Sequence, residues 1–221
     1  MSLFDVNTVF FTVMEYPMSY LEFFGTICYL LSVLLIAWRH MLTWPIGIIS
    51  VVLYMLLFYQ YQLYSDTLEQ IYYIGASVYG WWYWQASQSN SQAITPVIVG
   101  SKGNVLIWVL ITLVLSLAVG RTMSSIHLYL PGWFPEPASF PYLDALTTVM
   151  SFVAMWLMAR RRVESWIYWI IVDVIGIWLY YTKGIKFVSL QYVLLLAIAI
   201  TGAVRWFTAY QQERKSKINF I

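Results

Sequence analysis

Residues 104–120 read NVLIWVLITLVLSLAVG. No charged side chain interrupts this run, and its length approaches the roughly 20 apolar residues that carry an α-helix across a bilayer. Six runs of the same kind flank it, at 19–38, 45–61 and 67–85 before it and at 144–159, 166–182 and 187–208 after it. Barrel strands would alternate apolar and polar side chains over about ten residues. These runs are too long and too evenly apolar for that. The expected fold is an all-α integral membrane protein with seven transmembrane helices.

The composition agrees. Of 221 residues, 61% are hydrophobic and 10% charged, whereas soluble domains run near 45–50% apolar and about 25% charged. Too few charges are present to coat a water-facing globule, so the lipid bilayer is the expected surrounding. One cysteine, Cys28, excludes a disulfide framework. A net charge of +2, scattered along the chain, excludes a nucleic-acid footprint.

A second pattern appears when the chain is slid against itself by 122 residues. Tyr20 meets Tyr142, Arg39 meets Arg161, Trp44 meets Trp166, Gly80 meets Gly202 and Trp84 meets Trp206. Over residues 20–84 there are 15 identities in 65 positions. Two three-span halves joined directly would lie inverted, because three is odd. The uncharged fourth span turns the second half back, giving a 3+1+3 arrangement of parallel repeats with a site expected between them near midplane. The chain then divides into a pre-span segment at 1–18, a first repeat at 19–85, a linking region at 86–143 containing the span at 104–120, a second repeat at 144–209 and a tail at 210–221. Residues 3–14 read as a short interfacial segment. With Asp5 and Glu15 but no Lys or Arg, residues 1–18 do not read as a signal peptide. The Ser/Gln/Asn-rich stretch 86–103 reads as a connector and PGWFPEPASFP at 131–141 as an outer loop.

Basic residues fix the expected orientation. Arg121, Lys183 and Lys186 lie on the N-terminal side of the membrane. Arg39, Lys102, Arg160, Arg161, Arg162, Arg205, Arg214, Lys215 and Lys217 lie on the other. The N-terminus is therefore expected outside and the C-terminus in the cytoplasm.

Polar groups inside spans are costly and tend to mark function. Asp173 stands in IYWIIVDVIGIWLYY with apolar neighbours on both sides. Trp166, Trp169, Asp173 and Tyr180 follow at i, i+3, i+7 and i+14, on one helix face. Two indoles, a carboxylate and a phenol can cage a flat cationic ring, because indole faces attract cations and a carboxylate neutralises them. A packing stripe between helices is the alternative, with Asp173 bonded to a neighbouring Tyr or Thr. The third span repeats the theme with Gln70, Tyr73, Ser77, Trp81 and Trp84. Gln70 both donates and accepts hydrogen bonds, suiting ribose or amide recognition; an interhelical bond is the alternative. Gln191 and Tyr192 in the seventh span, and Ser50 and Tyr54 in the second, complete the candidate set. Glu22 and Asp144 read as structural caps at the outer end.

Other chemistry has no support. There is no phosphate-binding loop, so the chain itself hydrolyses no ATP. His40 and His127 fall on opposite sides and make no zinc site with one cysteine. Residues 187–204 contain no Lys, which a retinal protein would need. No cofactor, metal or enzymatic activity is expected.

The stretch WPIGIISVVLYMLLFYQYQLYSDTLEQIYYIGASVYGWWYW, from Trp44 to Trp84, and ESWIYWIIVDVIGIWLYYTKG, from Glu164 to Gly184, resemble the Pnu family of bacterial vitamin transporters. The resemblance runs from about residue 19 to 209. It implies a SWEET-like 3+1+3 fold, a homotrimer in the inner membrane, and uptake of an unphosphorylated vitamin by facilitated diffusion. A cytoplasmic vitamin kinase would then trap the solute. The family's W-x-x-W motif and the polar residue after it fall here on Trp166, Trp169 and Asp173, although the nicotinamide riboside members carry Asn at the last position. Nicotinamide riboside is the expected substrate, with thiamine or another vitamin as alternative. A non-transporting membrane ligand sensor and a proton-coupled carrier are the rival readings.

Overall fold

The computed structural model describes residues 4–13, 16–62, 64–88, 97–130, 132, 137, 139–182, 184 and 186–218. Seven helices carry the chain: α1 (Tyr20–Ala37), α2 (Thr43–Gln60), α3 (Tyr64–Gln88), α4 (Lys102–Tyr129), α5 (Pro141–Ala159), α6 (Ser165–Thr182) and α7 (Lys186–Ile218). Six are long and apolar enough to cross a membrane. α3 is the exception, because Tyr, Trp, Ser and Gln side chains recur along its length in addition to Asp66 and Glu69 in its first turns. Its 25 residues still extend about 37 Å at 1.5 Å per residue, more than the roughly 30 Å of a hydrocarbon core.

Two details add to the all-helical expectation, and the second is a correction of length only. Strands β1 (Val9–Val13) and β2 (Tyr16–Ser19) form an antiparallel hairpin within the expected pre-span segment. VFFTV is rich in β-branched and aromatic residues, which favour extended backbone. The hairpin is tied to the bundle: the Tyr16 hydroxyl donates to Glu22 Oε1 at 2.8 Å, and its ring stacks on Phe187 at 5.9 Å. Burial and the nearby Glu22 carboxylate push the Tyr16 phenol far above its usual value. The second detail concerns the tail. α7 continues to Ile218, because QQERKSK contains good helix formers and no Gly or Pro. Residues 89–96 of the connector and most of the 131–141 loop, with Glu15 and Lys183, lie outside the described residues.

The helices pack in matched sets. α1 lies on α2 and α2 on α3; α5 lies on α6 and α6 on α7. The two triplets meet through α1 against α7 and α3 against α5. α4 packs along α5, with the Thr112 and Tyr168 hydroxyls 3.3 Å apart.

At one end of the bundle four indoles are almost wholly enclosed: Trp44, Trp84, Trp166 and Trp206. Trp44 stands edge-on to Trp84 at 5.2 Å, and Trp166 edge-on to Trp206 at 5.6 Å. Trp84 and Trp206 join the two pairs at 5.9 Å. The Trp84 indole N–H donates to the Ala159 carbonyl at 3.0 Å, and the Trp206 N–H to the Ile36 carbonyl at 3.0 Å. Each bond crosses from one triplet to the other. Trp44 packs on Gly80 and Trp166 on Gly202 so closely that an added Cβ would stand 2.3 and 2.5 Å from the ring.

The turns beside the cluster match as well. Arg39 and Arg161 adopt left-handed backbone, φ 58° and 61°. The Arg39 and His40 amides donate to Ile36 and Leu35, and the Arg161 and Arg162 amides to Met158 and Leu157, all at 2.9 Å. These are Schellman helix ends. The returning connector closes on the second turn, where Ile98 pairs with the 161–163 backbone and Val97 inserts into the indole cluster.

This packing gives a stability test. Gly80→Ala and Gly202→Ala should each destabilise the protein by about 1–3 kcal/mol through overpacking against an indole. Gly75→Ala, with open space around its Cα, should be neutral or stabilise by up to about 1 kcal/mol through helix propensity. Thermal unfolding in detergent, followed by tryptophan fluorescence, checks all three.

Candidate functional site

Asp173 lies midway along α6 and is 3% exposed. Among the described residues it has no hydrogen-bond donor or cation as partner. What surrounds it are phenols. Tyr29 of α1 and Tyr192 of α7 lie within electrostatic reach of its carboxyl group. Gly176, three residues on, lets the Tyr192 ring press against α6, where a Cβ would meet Cδ1 at 2.5 Å. Tyr192 in turn stacks on Tyr180 at 5.3 Å, nearly parallel, and the two hydroxyls are bonded.

Further tyrosines continue the ring. Tyr29 meets Tyr54 of α2 edge-on at 6.5 Å. The Tyr54 hydroxyl bonds Thr26 at 2.8 Å and also engages Gln191. Tyr73 of α3 reaches Ser151 of α5 and packs against Phe152 at 5.7 Å. Groups from α1, α2, α3, α6 and α7 therefore converge around one unpaired carboxylate. Such a set can accept a cation at Asp173, flank a planar ring with aromatic faces and offer hydroxyls to a sugar.

The expected residues separate into three groups. Asp173, Tyr180, Gln191, Tyr192 and Tyr73 come together in this region. Trp169 is half-buried and bridges the indole cluster to the apolar group around Val153, Leu157 and Val172. Gln70 is buried on α3 with its amide donating to the Asp66 carbonyl at 3.2 Å. Trp166 and Ser50 are held elsewhere. The Trp166 ring is enclosed by Gly202 and Trp206, and the Ser50 hydroxyl donates to the Gly25 carbonyl at 2.9 Å. For these two the packing alternative describes the observed contacts. Tyr29 was missed by the sequence reading. Its only signal was a phenol in the middle of an otherwise apolar span. Among the described residues no group of three or more His, Cys, Asp or Glu side chains is placed to hold a metal ion.

Comparison with known proteins fits this geometry. Residues 19–208 match the nicotinamide mononucleotide transporter family. The chain is 30% identical over 217 residues to the nicotinamide riboside transporter PnuC of Escherichia coli (strain K12), covering 91% of this chain and 90% of the relative. It is 23% identical over 214 residues to the riboflavin/roseoflavin transporter RibM of Streptomyces davaonensis, covering 95% of each. A crystal structure of the vitamin B3 transporter PnuC shares the fold, with a TM-score of 0.65 and 22% identity over 87% of this chain and 83% of that one. The helices, the buried carboxylate among tyrosines and these matches lead to one assignment: the chain belongs to the nicotinamide mononucleotide transporter family, the PnuC-like Pnu family of multi-pass membrane vitamin transporters.

Proposed function

We propose that this protein carries nicotinamide riboside into the cell by facilitated diffusion, and that a cytoplasmic kinase traps the solute by phosphorylation. The observation that carries the reading is Asp173, buried without a partner among five helices. An isolated Asp in a membrane span costs about 2.5–3.5 kcal/mol on insertion scales. A permanently positive pyridinium ring offsets that cost when bound. Trp169, Tyr180 and Tyr192 supply aromatic faces, and Gln70, Tyr73 and Gln191 supply hydrogen bonds to ribose and amide. Thiamine also carries a positive ring and is the second reading. Riboflavin, the solute named for RibM, has no such charge and gives Asp173 nothing to neutralise.

In the proposed mechanism α1–α3 and α5–α7 are parallel repeats that rock about the midplane site. α3 also crosses, which brings the number of spans to seven, and α4 is the connector that turns the second half back. The paired contacts α1–α7 and α3–α5, and the matched indole–glycine seats 122 residues apart, support this reading. The basic turns at Arg39 and Arg160–Arg162 face the cytoplasm with the C-terminus, and the N-terminal hairpin faces out. A homotrimer in the inner membrane completes the reading on the family resemblance.

Titration calorimetry in detergent is the direct test. Nicotinamide riboside should bind and riboflavin should not. Asp173→Leu should weaken binding about tenfold or more, as loss of one member of a buried charge pair does, while leaving the thermal stability equal or higher. Unchanged affinity in that variant would remove Asp173 from the site, and binding of thiamine alone would move the chain to the second reading.

Sealed proteoliposomes test the transport step. Label should accumulate only when a vitamin kinase and ATP are enclosed, and an imposed pH gradient should leave the initial rate unchanged. Uptake driven by the gradient alone would establish proton coupling instead. Binding without entry would make the protein a sensor.

A further inference from the structure

A second charge stands buried without a hydrogen-bond partner among the described residues, in the turn that precedes α6. Arg161, in the α5–α6 turn, is 9% exposed, and its Nε and Nη1 are buried with no hydrogen-bond acceptor. The Tyr83 ring lies 4.8 Å from the guanidinium carbon. An aromatic face attracts the cation but does not accept its in-plane N–H groups.

The matching turn of the first triplet shows what is missing. Arg39 has the same left-handed backbone and the same helix-end bonds. Its guanidinium is paired with Glu213 of α7 at 2.7 Å. The residue 122 positions before Glu213 is Ser91, and residues 85–101 contain no Asp or Glu at all. Nothing in the connector after α3 can therefore do for Arg161 what the end of α7 does for Arg39. Glu164, the acid nearest in sequence, accepts from the Gly100 amide at Oε1, while its Oε2 is buried without a partner among the described residues and does not reach the Arg161 guanidinium. The neighbouring arginines add positive charge: Arg160 rests on Trp156, and Arg162 packs at Gly100.

We infer that the α5–α6 turn, with Arg161 at its centre, is a binding site for a phosphate-type oxyanion. A guanidinium offers planar, charge-assisted donors that match phosphate oxygens. Such an anion supplies the charge and the acceptors that Glu213 supplies in the other half. Two sources share this chemistry, a soluble phosphate ester and an anionic lipid headgroup. The site goes beyond the vitamin reading and does not depend on which solute is carried.

The test uses the full-length protein in phosphatidylcholine nanodiscs. Inorganic pyrophosphate is titrated in one arm, and phosphatidylglycerol replaces part of the lipid in the other. Thermal unfolding is followed in both. At about one hundred times Kd the melting temperature should rise by roughly 5 °C. Arg161→Gln should abolish the rise, and Arg39→Gln should retain it. Arg161→Lys, which keeps the positive charge but loses the planar donor fork, should retain only a smaller rise, so a folding defect in Arg161→Gln does not stop the test. A rise with pyrophosphate identifies a soluble ligand, and a rise with phosphatidylglycerol alone a headgroup site. No rise in either arm, or a full rise in Arg161→Gln, overturns the site. Vitamin binding measured on the same samples reports separately on the proposed transport function.

Discussion

Two hydrogen bonds hold the halves of this molecule together where water cannot help. The Trp84 indole N–H crosses from α3 to the end of α5, and the Trp206 N–H from α7 to the end of α1. In lipid an unsatisfied polar group costs several kcal/mol, so a donor that finds an acceptor inside the protein strongly favours that arrangement. A large apolar ring that also carries one donor therefore fixes both distance and direction. Trp44 and Trp166 fill the remaining space by pressing on Gly80 and Gly202. The helix ends at Arg39 and Arg161, the docking of Val97 and the mutual contact of the triplets all rest on this cluster.

The site follows from the opposite condition. Asp173 is buried but unmatched, and its counterpart 122 residues earlier is Val51. The related positions elsewhere also differ: Gln70 stands where the second half has Tyr192, and Tyr54 where it has Gly176. The second half thus supplies the carboxylate with Tyr180 and Tyr192, while the first supplies tyrosines from α1, α2 and α3. The packing residues of the indole cluster are matched between the halves, and those of the candidate site are not.

The helices were legible because apolar run length is a one-dimensional property. Six of the runs correspond to helices that can cross a membrane by composition, and α3 differs through its many Tyr, Trp, Ser and Gln side chains as well as its acids. The hairpin was not legible, since five residues such as VFFTV suit a strand or an interfacial segment equally until a partner strand is known. The length of α7 was lost for a related reason: polarity was read as the end of a helix, when it marks only the end of the lipid. At the candidate site, the heptad spacing of Asp173 and Tyr180 places both on one helix face. The same spacing could not tell that Trp166, one turn from Trp169, belongs to the indole cluster. Helical periodicity gives a face, whereas depth along the axis decides which neighbours that face meets. Tyr29 escaped because its role depends on α6 and α7, distant in sequence.

The extension of α7 has a mechanical meaning. From Trp206 to Ile218 the helix runs about 18 Å at 1.5 Å per residue. Any tilt of the second triplet about its indole seat is carried outward along this rod. A rotation of about 10° sweeps its tip through roughly 3 Å over that length. Glu213, held by Arg39, moors the rod part-way along to the first triplet. The C-terminal helix is thereby both a lever arm that magnifies the relative motion of the halves and a tether that limits its swing. A fluorophore placed at its end would read small rearrangements of the bundle as larger displacements at the tip.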